Sequence, residues 1–176
     1  MRIFATTALA LMAAATPAMA QDGTFQGPRV EVVGGWDRAQ TQGVGGSGFV
    51  YGGGIGYDLQ RGKTVFGVDA EVTGSTLDKC EFGVCAKAGR DLYAGARIGV
   101  AATPNTLVYG KIGYSNGRMI GYTATQRIAD NLDGVRLGAG VERSFGNVYG
   151  KVEYRYTNYS QNVERHQVLG GIGYRF

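Results

Sequence analysis

Acidic and basic side chains recur at two-residue spacing along this chain. Asp69 and Glu71 stand two residues apart, and Glu153 lies between Lys151 and Arg155. Side chains two residues apart point to the same face of a β-strand, so each group would share one face. Two carboxylates on one face can act as a general acid and base, or they can bind a cation. Because buried charges are tolerated mainly when paired, neutralisation by bases on neighbouring strands is the favoured interpretation.

His166 is the sole histidine and therefore the only candidate catalytic base of its kind. A histidine-activated nucleophile needs a serine within hydrogen-bonding reach. The adjacent residues are Arg165, Gln167 and Val168, and Ser160 lies in a preceding polar segment without such a pattern. We interpret His166 as a water-facing residue and predict no catalytic residues.

Residues 43–48 satisfy the spacing G-x-G-x-x-G of dinucleotide-binding loops. That use requires a strand before the glycines and a helix after them, whose first amides hold the pyrophosphate. A strand pattern follows the glycines here, so we interpret this segment as a flexible loop and predict no cofactor.

The N-terminal residues have the pattern of an export signal. Arg2 precedes an apolar run at residues 3–15, and Ala18-Met19-Ala20 supplies a small-x-small cleavage pattern. Because the run is too short to span a bilayer, a retained anchor helix is the weaker alternative. We predict a signal peptide over residues 1–20, leaving residues 21–176 as one domain. That domain has no apolar run long enough for a membrane-spanning helix, so any part that crosses a membrane would have to consist of strands.

The cysteines and the charge exclude further classes. Cys80 and Cys85 are the only two cysteines, and in an exported chain they predict one disulfide. A zinc site would need more cysteines or histidines nearby, so no metal site is predicted. The formal charge of +4 falls to +3 when Arg2 is removed, and no run of lysines or arginines is present. No nucleic-acid partner is therefore predicted.

Eight segments after residue 20 alternate between apolar and polar residues: 29–36, 49–58, 64–73, 91–100, 107–115, 133–145, 148–156 and 166–176. Most have the length that a tilted strand needs to cross a bilayer. Short connections (59–63, 101–106 and 146–147) alternate with long ones (37–48, 75–90, 116–132 and 157–165). This alternation is typical of an up-and-down outer-membrane barrel, and an even number of strands places both termini on the short-turn side.

The two faces of these segments differ in character. One is apolar, and apart from glycine its only interruption is Arg143. Its aromatic residues gather near the strand ends, as in the interfacial girdles of membrane barrels. The other face carries seven acids and seven bases, spaced by glycines: Arg29, Glu31, Asp58, Asp69, Glu71, Asp91, Arg97, Lys111, Arg136, Glu142, Lys151, Glu153, Arg155 and Arg175.

Two all-β folds fit this pattern. A soluble calyx would place the apolar face inside, and a transmembrane barrel would turn it toward lipid. Eight strands enclose room for packed side chains or one small ligand, so periodicity alone leaves the calyx open. The girdles and the balanced charges favour an eight-stranded antiparallel up-and-down transmembrane β-barrel. Its lumen would be closed by an ion-pair network of Glu31, Asp69, Glu71, Arg97, Lys111, Arg136, Glu142, Lys151, Glu153 and Arg155.

The whole segment from residue 21 resembles the small eight-stranded outer-membrane proteins of the OmpA-like, opacity-type "porin family". The resemblance rests on the glycine-rich first hairpin and on residues 66–71, 93–99, 151–156 and 171–176. It implies an assembly signal at the C-terminus, read by the barrel-assembly machinery, in which Gly171, Tyr174 and Phe176 match. Leu169 departs from that pattern, which usually has a polar residue there.

The resemblance further implies a protein of the Gram-negative outer membrane, in contact with membrane lipid and lipopolysaccharide, with both termini in the periplasm. We predict a monomer with a structural and surface-exposed role, of antigen or adhesion type, and without catalysis. A narrow passive pore for ions or small solutes is one alternative, and an outer-membrane lipid-modifying enzyme is another. The first is disfavoured because eight strands usually leave no channel, and the second because no serine accompanies His166.

Overall fold

A computed structural model describes residues 23–41, 44–76, 78–81, 84–122, 127–160 and 163–176. The predicted signal peptide therefore lies outside the described residues. Within them the chain forms nine strands and no helix: β1 (Gly27–Thr41), β2 (Val44–Arg61), β3 (Thr64–Ser75), β4 (Asp78–Glu81), β5 (Val84–Thr103), β6 (Thr106–Tyr122), β7 (Arg127–Phe145), β8 (Val148–Tyr159) and β9 (Val163–Arg175). The described part of the chain has no helix long and apolar enough to cross a membrane.

Eight of these strands close into an antiparallel barrel. Each long strand pairs with the next along the chain, β3 pairs with β5, and β9 returns to pair with β1. The short strand β4 pairs with the beginning of β5 only. Closure removes the unpaired edges that an open sheet would present. The predicted fold class is confirmed.

Two-residue turns join the strands at one end of the barrel. They lie between β2 and β3, β5 and β6, and β7 and β8. Gly62 and Gly146 occupy two of them with φ of 58° and 70°, a left-handed conformation that other residues adopt at a steric cost. We call this end the short-turn rim and the opposite end the hairpin rim.

The prediction of four long loops at the hairpin rim is wrong. Strands β1 and β2 continue to Thr41 and from Val44, and the other hairpins are extended in the same way. Gly45 and Gly46, interpreted from the sequence as loop, pair with Gln40 and Ala39. Continued pairing satisfies backbone groups that a loop would leave to water, and the glycines do not prevent it.

The two cysteines lie in the hairpin of β4 and β5, which falls in a predicted loop. Their backbones are directly opposite each other, Cys80 to Cys85. Opposed residues of antiparallel strands have Cα atoms about 4.5–5.5 Å apart, within the range that a disulfide spans. The register is compatible with the disulfide, which remains a prediction.

Burial separates the two faces as the sequence pattern predicts. Apolar side chains such as Val32, Ile55 and Ile172 are 61–65% exposed on the outside. The polar side chains at the alternating positions point into the barrel and are buried. The core of this protein is therefore ionic, with its apolar surface outside.

Candidate functional site

The barrel lumen collects the charged residues of the inward face. It holds eight acids and eight bases, each at most 7% exposed. Fourteen of them are the residues that the alternating pattern places inside, including all ten assigned to an ion-pair network. Asp37 and Arg165, which the sequence placed in loops, complete the set. The ion pairs divide into three layers along the barrel axis.

The layer nearest the short-turn rim contains three bases and three acids: Arg29, Arg97, Arg175, Asp58, Asp69 and Glu142. Asp58 is at its centre. It pairs with Arg29 and with Arg175, each at 3.0 Å, and with Arg97. Glu142 also joins two of these bases, at 3.1 Å from Arg97 and 2.8 Å from Arg175. Asp58 and Glu142 are therefore each shared by two or more bases, and Asp69 pairs with Arg29.

The middle layer again contains three acids and three bases: Glu31, Glu71, Glu153, Lys111, Lys151 and Arg155. Glu153 is the residue with most partners. Its carboxylate lies 2.8 Å from Lys111 Nζ and 3.3 Å from Lys151 Nζ, and it also pairs with Arg155. The Tyr109 hydroxyl donates a further hydrogen bond to it at 2.6 Å.

Glu31 connects the middle layer to the first one. Its carboxylate accepts from Lys151 at 2.6 Å and pairs with Arg29 at 3.2 Å. The other middle acid, Glu71, lies 2.6 Å from Lys111 and 2.8 Å from Arg155. The carboxylate pair Asp69 and Glu71, singled out from the sequence as a possible acid–base pair, is thus divided between two layers and bound by bases in both.

The third layer, near the hairpin rim, contains two acids and two bases. Asp91 pairs with Arg136 at 2.5 Å and with Arg165 at 3.0 Å, and Arg165 also binds Asp37 at 2.5 Å. The Tyr159 hydroxyl donates to Asp91 at 2.6 Å. All three layers are therefore neutral, which is how sixteen charges can be buried together.

Lumenal tyrosines explain the glycines that separate the charges. A Cβ atom added at Gly140 would lie 2.7 Å from the Tyr109 hydroxyl, and one at Gly173 would overlap the Tyr149 ring. The guanidinium groups of Arg97 and Arg175 stack 5.1 and 5.0 Å from the Tyr109 and Tyr149 rings. Because glycine has no side chain, these positions leave room for the tyrosine rings, which fill the space between the charged layers.

A small cluster of buried apolar side chains lies at each end of the lumen. Phe25, just before β1, is fully buried against Val65, Leu107 and Tyr109 at the short-turn rim. At the hairpin rim, Leu132 and Val163 pack with Tyr159. The charged layers are therefore flanked by an apolar cluster at each end.

His166, Tyr174, Phe176 and Gly171, also singled out from the sequence, are not members of the ion pairs described above. His166 faces outward, where its Nδ1 is 2.7 Å from the Tyr154 hydroxyl, and its ring is 5.1 Å from that of Tyr156. Tyr174 and Phe176 also face outward and contact each other edge to face, with ring centroids 4.9 Å apart. Gly171 points inward beside Lys151.

Sequence reasoning missed six lumenal residues of note: Asp37, Arg165, Tyr93, Tyr109, Tyr149 and Tyr159. The sequence did contain a signal for these residues, namely that they share the alternation of the predicted lumenal positions. Asp37 continues the alternation of Arg29 and Glu31 beyond the predicted strand end, and the tyrosines share the parity of lumenal neighbours. Asp37, Tyr159 and Arg165 were missed because the segments that contain them were interpreted as loops. Tyr93, Tyr109 and Tyr149 lie within predicted strands and were missed because only charged residues and glycines were assigned to the lumenal face.

A closed barrel with an apolar exterior and an ion-paired interior has the architecture of a transmembrane β-barrel. Residues 6–176 match the outer membrane protein beta-barrel domain, and the chain belongs to that family.

Relatives and solved structures agree with this assignment. The chain is 29% identical over 153 residues to the 25 kDa outer-membrane immunogenic protein of Brucella ovis (81% of this chain, 72% of the relative). It is 32% identical over 149 residues to a 22 kDa outer membrane protein of Rhizobium leguminosarum bv. viciae (77% and 68%).

In fold it resembles the attachment invasion locus protein Ail of Yersinia pestis (TM-score 0.66, 14% identity, covering 86% of this chain and 99% of Ail). It also resembles Neisserial surface protein A (TM-score 0.66, 17% identity, 85% and 97%). The chain is an outer-membrane β-barrel protein.

Proposed function

We propose that this protein is a non-conducting, non-catalytic barrel that contributes to envelope structure and displays its hairpin rim at the cell surface. In this arrangement both termini and the short turns face the periplasm, and the protein acts as a monomer. Contact with lipopolysaccharide on the outer side and with the barrel-assembly machinery during biogenesis belongs to the same proposal.

The filled lumen is the observation that carries this proposal. A water-filled channel would leave the charged side chains that line it exposed to solvent. All sixteen are buried instead, in three neutral layers with an apolar cluster at each end. An ion entering this lumen would have to displace a base or an acid from its partners, at a cost of several kcal/mol.

Surface display is supported by the hairpins and by the relatives. The strands of the hairpin rim extend beyond the aromatic girdle, and the curated Brucella relative is named as an immunogenic outer-membrane protein. Loops and hairpin tips on a rigid barrel are where binding functions concentrate. We therefore place the antigen or adhesion role at this rim.

Purified, refolded protein is expected to show no conducting steps in planar lipid bilayers, because the charged side chains of all three layers are buried. Folding of the barrel is verified in parallel on a detergent gel, where unboiled samples should migrate differently from boiled ones. A porin of known conductance, refolded in the same way, is the positive control. Stable ion-conducting steps from the wild-type protein would overturn the closed lumen and establish the narrow pore.

The orientation is tested with the two cysteines. On intact cells, a membrane-impermeant maleimide is expected to label Cys80 and Cys85 only after a membrane-impermeant reductant opens the predicted disulfide. The Cys80→Ser, Cys85→Ser variant should assemble normally and take no label, since so short a closed loop contributes only about 2 kcal/mol. Labelling that requires permeabilised cells would place the hairpin rim in the periplasm, and labelling without reductant would exclude the disulfide.

A further inference from the structure

An open groove runs across the outer wall of the barrel over β7, β8, β9 and β1. Its volume is about 720 Å³, within the roughly 300–1,000 Å³ of small-molecule sites. The floor is formed by three outward-facing glycines, Gly34, Gly150 and Gly170. Gly34 and Gly170 are directly opposite each other in the β1–β9 pairing.

The glycines leave this part of the wall without side chains. A Cβ atom added at Gly150 or at Gly170 would have a single neighbour within 4.0 Å in each case, a backbone oxygen. These two glycines are therefore not required by packing within the barrel. The walls are apolar and include Val32, Val152 and Ile172. The space suits a flexible hydrocarbon chain.

Arg143 lies at the short-turn end of the groove, opposite Gly150 in the β7–β8 pairing. Arg143 is exposed. Among the described strands, it is the only charged side chain on the outward face between the two aromatic girdles. Its guanidinium group is 5.8 Å from the Phe145 ring, and no described carboxylate is paired with it. A cation at this depth needs an anion, because charge on the lipid face of a barrel is destabilising.

We propose that the groove binds one anionic phospholipid, with an acyl chain over the glycines and the headgroup phosphate on Arg143. The proposal rests on the proposed orientation, which puts Arg143 at the periplasmic leaflet, where phospholipid is available. Charge complementarity selects this occupant over a second barrel, because an isologous contact would bring two unpaired Arg143 side chains into the same interface.

The test is native mass spectrometry of the detergent-purified barrel with equimolar phosphatidylglycerol and phosphatidylcholine. Wild-type protein is expected to retain one phosphatidylglycerol in preference to phosphatidylcholine. Arg143→Gln should lower that retention about fivefold, the value of one arginine near an anionic lipid surface. Gly150→Leu and Gly170→Leu should lower it at least as far by filling the groove.

Gly110→Leu is the matched control. Gly110 is also an outward glycine with open space above it, its single close neighbour being a backbone oxygen at 3.8 Å, but it lies on β6 outside the groove. This variant should retain lipid as the wild type does. Equal retention by all variants, equal retention of the two lipids, or a dimer abolished by Gly170→Leu would each overturn the proposal. A wild-type chain that fails to insert into vesicles would overturn the proposed function as well, whereas one that inserts without retaining lipid would overturn the lipid site alone.

Discussion

Replacing Glu153 by alanine is expected to lower the free energy of unfolding of the barrel by about 3–5 kcal/mol, the cost of leaving buried charge without its partner. Its carboxylate is shared by Lys111, Lys151 and Arg155 and accepts from the Tyr109 hydroxyl. Without it, three bases in the middle layer would face two acids. The expected loss is large because all these groups are buried and cannot turn to water.

The measurement is urea unfolding of refolded protein in vesicles, followed by the fluorescence of Trp36, the sole tryptophan. Glu164→Ala is the matched control. Glu164 is exposed on the outward face, where it accepts from the Tyr156 hydroxyl at 3.1 Å. Removing it should cost less than about 1 kcal/mol, as for other exposed charges.

A double variant separates lost charge balance from lost volume. Combining Glu153→Ala with Lys111→Met restores neutrality in the middle layer while leaving the same cavity at residue 153. We expect it to be more stable than Glu153→Ala alone, because removing both partners avoids an uncompensated charge. A loss for Glu153→Ala as small as that for Glu164→Ala would show that water reaches this layer, in favour of the pore.

The alternation of residue types was sufficient to predict the barrel and its two faces. A period of two is a local property, so Glu31, Asp69 and Arg97 could be assigned to the lumen from their own strands. The strand ends could not be found in this way. Polar residues on both faces of the hairpin rim erase the contrast that marks a strand in the membrane, although the backbone goes on pairing there.

The individual ion pairs could not be predicted from the sequence. Arg165 binds Asp37 across 128 residues of sequence, and that contact depends on the register with which β9 closes on β1. Barrel stagger fixes this register, and a shift of β9 by one residue would turn Arg165 outward while Asp37 stayed in the lumen. The sequence therefore indicated equal numbers of acids and bases, whereas their division into three neutral layers is a property of the closed barrel.

Replacing Phe176 by alanine is expected to reduce the barrel in the outer membrane to near background, while the purified protein still refolds. In the folded barrel this side chain is 60% exposed and contacts Tyr174. Truncating one apolar side chain should cost at most about 1.5–3 kcal/mol, even if it were fully buried. The resemblance to the C-terminal assembly signal, however, gives Phe176 a role before the barrel closes, when the machinery must bind the unfolded chain.

Phe145→Ala is the matched control. Phe145 is an outward aromatic residue at the same rim, 65% exposed, and its loss removes similar lipid contact. It lies at the end of β7, away from the terminus that the machinery would read. Both variants should unfold in urea at similar concentrations, and only Phe176→Ala should be depleted from the outer membrane of cells.

The comparison of cells with purified protein decides which role Phe176 has. If it were only a girdle residue, the two variants would lose similar, small amounts of protein in cells, because their folded contacts are alike. Normal surface levels of Phe176→Ala would therefore exclude a recognition role for this terminus. Depletion in a strain that lacks the main periplasmic protease, with the chain accumulating unfolded in the periplasm, would place the defect at assembly, since a barrel that had closed and then unfolded would be found in the membrane.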